Sequence, residues 1–289
     1  MIIYANGCSM TYGSELHDHP VTGICTNNKY RWESSWPGAL ARRFCADSVV
    51  NDAVPSGSND RILRRTVEFL LRHQQRQLSA DSELVVAIGW SSPLRREMFI
   101  NGAFRQIVPH HGYRDFATDR FAAAYRRWAV SDIEGDWRFV GQAVSLAGLL
   151  QSLGIPFVFF HALDPRPLPI SVQGDVQVRT RQLGLFDGSL SMEQYLADDP
   201  SMWRGRHPSE EGHAKWADEL VGRWSERANF PGEALSTRNQ HDARIQFSGT
   251  EVSARVDMKI PTGWARSALR SVTGRRSMQW LNRDPFIYP

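Results

Sequence analysis

The sequence predicts an α/β protein in which a parallel sheet is covered by helices on both faces. Three observations carry that prediction. Short apolar runs alternate along the chain with longer segments of helical periodicity, and the clearest of those runs, "ELVVAIGW" and "IPFVFFHAL", read as buried strands. Near the amino terminus, "MIIYANGCSMTYGSEL" passes from an apolar run through a glycine to a capping serine, the signature of a turn leaving a strand for a helix. Alternation of this kind is what strand-helix-strand units produce, and their sheets lie between two helical layers.

The elements follow in order. Residues 2–5 read as the first strand. "SWPGALARRF", from Ser35, offers a cap, an early proline and apolar residues at helical spacing, and "DSVVND" is a short second strand. From Ser58, "SNDRILRRTVEFLLRHQQRQL" aligns Ile62, Leu63, Val67, Leu70 and Leu71 on one face of a long helix. "ELVVAIGW" supplies the third strand, residues 115–153 read as helical, and "IPFVFFHAL" is the fourth strand. "HPSEEGHAKWADELVGRW" opens with proline and glutamates and closes the pattern as a helix. Beyond about residue 229 turn formers and one alternating stretch give way to Arg266, Arg270, Arg275, Arg276 and Arg283 around Trp280. The chain therefore divides into a domain over 1–228 and an extension over 229–289, which is an arm packing back on the domain, a contact between copies or a binding segment, the arm being the favoured reading because it covers the aromatic residues.

Composition narrows the function. With 289 residues, 42% hydrophobic and 22% charged, the chain can bury a full core. Its net charge is +3, lysine occurs only at Lys29, Lys215 and Lys259, and no basic stripe with interleaved aromatics marks the first three quarters, which argues against nucleic acid. Cys8, Cys25 and Cys45 have neither disulfide-framework nor zinc-ligand spacing. His17, Asp18 and His19, like His110 and His111, read as loop residues rather than a metal site, and no cofactor is signalled. The opening apolar run is too short for a signal peptide, and no apolar segment is long enough to cross a bilayer, so the expectation is a cytoplasmic protein with no membrane partner.

Open parallel sheets bind ligands beyond the carboxyl ends of their strands. Ser9 follows the first strand, Gly57 and Asn59 the second, Ser91 and Ser92 the third; His161 ends the fourth, and His207 precedes the last helix. Polar groups from five separated segments thus converge on one edge.

At those positions the chain resembles the SGNH (GDSL-type) hydrolases, and within them a branch found in bacteria and phages. "NGCSMTYG" is similar to their nucleophile block, "NDAVPSGSNDR" to their glycine block, "IGWSSPLRRE" stands where their asparagine block does, and "HPSEEGH" resembles their histidine block, in order over roughly residues 1–225. The resemblance implies a three-layer, flavodoxin-like α/β/α fold with Ser9 as nucleophile and His207 as its base. Oxyanion or substrate-binding groups would come from Gly57, Ser91, Asn59 and His161. The chain departs from that pattern twice. Ser91 stands where the family has an asparagine side chain, and Arg204 stands where the family's acid lies three residues before the histidine. A dyad, or a carboxylate from Asp164, Asp198 or Asp199, would have to replace that acid; without it activity would be weak.

The expected reaction is hydrolysis of an oxygen ester through an acyl-Ser9 intermediate, with a small-molecule or glycan acyl ester as substrate. Acyl transfer on the same scaffold, or a catalytically degenerate protein used for binding or assembly, are the alternatives. Arg95, Arg96 and Glu97 stand near the predicted mouth, where an anionic or sugar-bearing substrate would meet them.

Overall fold

The computed structural model describes residues 1–19, 25–77, 83–113, 115–163, 191–225 and 246–249. Its centre is a parallel sheet of β1 (Ile2–Asn6), β2 (Ser48–Asn51), β3 (Leu84–Trp90) and β6 (Phe157–His161), with β9 (Gln246–Gly249) at one edge in the order β6-β3-β1-β2-β9. Between β3 and β6 the chain forms an antiparallel hairpin, β4 (Arg96–Ile100) and β5 (Ala103–Ile107), and a two-residue pair, β7 (Trp203–Arg204) and β8 (His207–Pro208), follows later. Neither small ribbon has the apolar length by which the four central strands announce themselves.

Successive side chains of a strand face opposite ways, and each face of this sheet has its own helical layer. Ile3, Ala5, Val85, Ala87 and Phe160 pack with Trp36 and Leu40 of α3 (Trp36–Arg43) and with Trp216 and Leu220 of α8 (Glu210–Ser225). Tyr4, Val86, Ile88 and Phe159 face the other way, onto Ile62 and Leu70 of α4 (Asn59–Gln77) and Phe139, Leu146 and Leu150 of α6 (Asp132–Ser152). All seven residues of β3 are buried, as its continuous apolar run requires. The architecture is a three-layer α/β/α sandwich. The remaining helices are α1 (Ser9–Tyr12), α2 (Asn28–Ser34), α5 (Phe116–Trp128) and α7 (Met192–Leu196), with a 3-10 turn at Pro200–Met202.

Strand order reverses beside β1: β2 lies to one side of it and β3 and β6 to the other. In such sheets this switch point, at the carboxyl ends of the strands, is where a crevice opens. Asn6 pairs with Ile88, so Ser9 and Ser91 each stand three residues past a matched pair, after the neighbouring strands β1 and β3. Asp164, residues 229–245 and residues 250–289 of the extension lie outside the described residues. Among the described residues, no helix is long and apolar enough to cross a membrane.

Candidate active site

The turn that carries Ser9 is fixed by hydrogen bonds and by missing side chains. Asn6, buried at the end of β1, accepts the Gly7 N–H at 2.8 Å and donates through Nδ2 to the Tyr4 hydroxyl, Ile62 O and Thr66 Oγ1 at 3.1 to 3.2 Å. At Gly7 a Cβ would lie 2.2 Å from Thr11 Oγ1 and 2.9 Å from Gly89 O, so only glycine lets the chain pass between β3 and α1. Cys8 is buried, and its carbonyl accepts the N–H groups of Thr11 and Tyr12. Ser9 is half-buried as the first helical residue, and its own N–H has no acceptor among the described residues. Gly13, at φ 78°, ends the helix and donates to Ser9 O at 3.1 Å.

The loop after β2 presses on this turn. A Cβ on Gly57 would lie 2.7 Å from Gly7 O and 3.5 Å from Cys8 Cα, so the absence of a side chain permits backbone-to-backbone approach beside the Ser9 turn. Gly57 donates its own N–H to Val54 O at 3.1 Å, and the Ser58 N–H is held by Gln106 Oε1 of β5 at 2.8 Å. Asn59 clamps the end of β3: its Nδ2 donates to Ser91 O at 3.1 Å and its Oδ1 accepts the Ser91 N–H at 2.8 Å. Ser91 Oγ in turn accepts from Arg95 Nη1 at 2.9 Å. His161 ends β6 opposite Trp90, with Phe139 at 5.4 Å between ring centroids; burial lowers its pKa to about 4 and leaves a neutral imidazole.

His207 arrives on the β7–β8 hairpin, whose tip is Gly205 and Arg206, and β8 packs against α1. Its Nδ1 lies 3.1 Å from Glu15 Oε1. It is a close contact rather than a hydrogen bond, since Nδ1 is buried without a hydrogen-bond partner among the described residues. Glu15 Oε2 accepts the Arg206 N–H at 3.0 Å, so one carboxylate touches both the ring and the hairpin that carries it. Gly205, at φ 67°, makes room: a Cβ there would lie 2.5 Å from Glu15 Oε2. Glu15 itself holds a left-handed backbone at φ 69°, a conformation that costs a non-glycine residue on the order of 1–3 kcal/mol and must be imposed by its surroundings. Its N–H donates to Asp18 Oδ2 at 2.8 Å, while Asp18 Oδ1 accepts from the buried Arg31, which also donates to the Tyr12 hydroxyl.

The carboxylate beside His207 is therefore Glu15, contributed from the loop after the Ser9 helix. Arg204 is exposed and pairs with His207 only through the main chain of the hairpin. Asp198 is exposed, and Asp199 caps the 3-10 turn by accepting from Ser201 N at 3.0 Å and Ser201 Oγ at 2.6 Å. His213, two turns of sequence beyond His207, is a core residue: its Nδ1 accepts the Trp36 N–H at 3.1 Å, and burial, then the nearness of His207, lowers its pKa to about 3. Glu15 lies far from His207 in sequence, away from the stretch before the histidine where the acid is expected. The available signal was the pairing of "GSELHD" directly after the serine block with the glycine of "RGRH".

The chain belongs to the family of unknown function DUF6071, whose model matches residues 14–231. No curated protein matches it. One solved structure, described as a carbohydrate esterase whose active site displays divergent catalytic and non-catalytic binding functions, aligns at 16% identity and a TM-score of 0.39 over 78% of this chain and 69% of that chain.

Proposed function

We propose that the protein is a serine esterase that cleaves an oxygen ester through an acyl-Ser9 intermediate, with Ser9, His207 and Glu15 as nucleophile, base and orienting acid. The observation that carries this reading is the Glu15 carboxylate at 3.1 Å from His207 Nδ1, on a hairpin packed against the helix that begins at Ser9. A serine hydroxyl is a weak nucleophile unless a base removes its proton as it attacks. In this mechanism Glu15 favours the proton on Nδ1 of His207, leaving Nε2 to take the Ser9 proton and then deliver it to the departing alcohol. The carbonyl carbon gains a bond to Ser9 Oγ as its oxygen becomes an oxyanion, and expulsion of the alcohol restores the carbonyl as the acyl enzyme. Water repeats the sequence and releases the acid.

The oxyanion needs a donor aimed in advance at the charge that develops. The uncommitted Ser9 N–H fills that role. Gly57 and Asn59 support it from the next layer, one by allowing close approach and the other by fixing the Ser91 main chain. The substrate we assign is an acyl ester on a small molecule or glycan.

Turnover of short-chain aryl esters tests the proposal. Wild type is expected to hydrolyse them, whereas Ser9→Ala and His207→Ala, at matched melting temperatures, fall to the uncatalysed rate. Equal hydrolysis by all three proteins refutes it.

A further inference from the structure

Around β4, Arg64, Arg96 and Arg138 are each paired with acids. Arg64 donates to Glu97 at 2.6 and 2.9 Å, Arg96 lies 3.3 Å from Asp60 and 3.2 Å from Glu134, and Arg138 lies 3.4 Å from Asp60. Arg95, in the midst of them, has no carboxylate partner among the described residues, although it is half-buried. Its main chain is fixed, the N–H donating to Ser92 O at 3.1 Å and the carbonyl accepting from Arg138 at 3.5 Å. Its guanidinium makes one hydrogen bond, from Nη1 to Ser91 Oγ at 2.9 Å, out of the five N–H donors that such a group offers.

Position gives this unpaired charge its meaning. Ser91 follows β3 as Ser9 follows the neighbouring β1, so the guanidinium that Ser91 accepts lies just past the carboxyl end of β3. The surroundings are cationic. Burial lowers the pKa of His111, and the positive charges of Arg95, His110 and Arg206 lower it further. Asp119, whose charge acts on neighbouring Tyr113, is committed through Oδ1 to the Tyr113 N–H at 2.7 Å. A half-buried guanidinium that lacks an internal acid presents a planar fork suited to a carboxylate or another compact anion.

We infer that Arg95 anchors an anionic group on the substrate, so that the ester cleaved at Ser9 carries a carboxylate or similar compact anion beside its acyl or alcohol portion. This rests on the esterase reading for its catalytic meaning, but anion binding can be measured without turnover. The probes are monomethyl glutarate, an anion, and dimethyl glutarate, its neutral counterpart, titrated by NMR into Ser9→Ala protein. The anion is expected to bind at least about tenfold more tightly. Arg95→Met in the same background is expected to abolish that preference, and Arg95→Lys to retain part of it, with unchanged melting temperatures showing that the fold persists. Equal affinity for the two probes, or a preference that survives Arg95→Met, overturns the inference. If Arg95-dependent anion binding accompanies a complete lack of ester turnover in wild type, the esterase reading fails and the anion site stands. If esters are cleaved but neither binding nor kcat/KM favours an anionic ester over a neutral one, the anion site fails alone.

Discussion

Glu15 is the residue on which the catalytic account turns. A carboxylate beside an imidazole selects its tautomer and stabilises the imidazolium that forms when the serine proton moves. Glu15→Gln preserves size and the acceptor for the Arg206 N–H while removing the charge, so kcat for aryl esters is expected to fall by about 10²- to 10⁴-fold with little change in KM. An unchanged kcat would reduce Ser9 and His207 to a dyad. Arg204→Asp gives the complementary result. Because Glu15 already meets Nδ1, an acid at 204 has no vacancy to fill, and turnover is expected not to rise. A clear increase would place the preferred acid position back on the hairpin. Neither outcome follows from the sequence alone, where Arg204 reads as a lost acid and no pattern marks Glu15.

The elements position the site through contacts that tolerate no extra atoms. Gly57→Ala puts a methyl group 2.7 Å from a backbone oxygen, which cannot swing aside, and is expected to cost about 1–3 kcal/mol, read as a lower denaturation midpoint. Gly205→Ala differs because its methyl group meets the far end of Glu15, a movable side chain, at a position of positive φ. Some stability is lost there too, but the carboxylate is displaced from His207, so kcat is expected to fall further than the Gly57→Ala stability loss alone can account for in a protein still folded at assay temperature. The four central strands and the long helices were legible because burial imprints their periodicity. The ribbons β4–β5 and β7–β8 were not, since a short, partly exposed hairpin needs no apolar run. The left-handed turn at Glu15 was hidden for another reason: it is imposed by Asp18 and Arg31 from outside, where a glycine would have announced it.

At the scale of the whole molecule, a buried neutral histidine ties stability to pH. His213 has a pKa of about 3 in the fold against an ordinary 6.5, so between those values the unfolded chain binds a proton that the folded one does not. Stability from this source is complete above pH 6.5 and is lost progressively as pH falls toward 3. His161, at about 4, acts in the same direction over a narrower window. Urea denaturation between pH 7 and 5 is expected to show this loss, with a shallower slope in His213→Gln; identical slopes would mean that His213 titrates normally in the fold. The sandwich and its two cores were implied by alternating elements, because a parallel sheet allows its helices few places to pack. The Glu15–His207 contact and the surroundings of Arg95 depend on how loops pack on one another, which no local pattern records. The central claim, an activated serine at the switch point, is tested most directly by exposing the intact protein to a fluorophosphonate and measuring its mass. The account predicts one adduct per chain, mapped to the peptide containing Ser9, absent from folded Ser9→Ala and strongly slowed in His207→Ala. An unmodified wild-type protein, or an adduct that persists in Ser9→Ala, would contradict it.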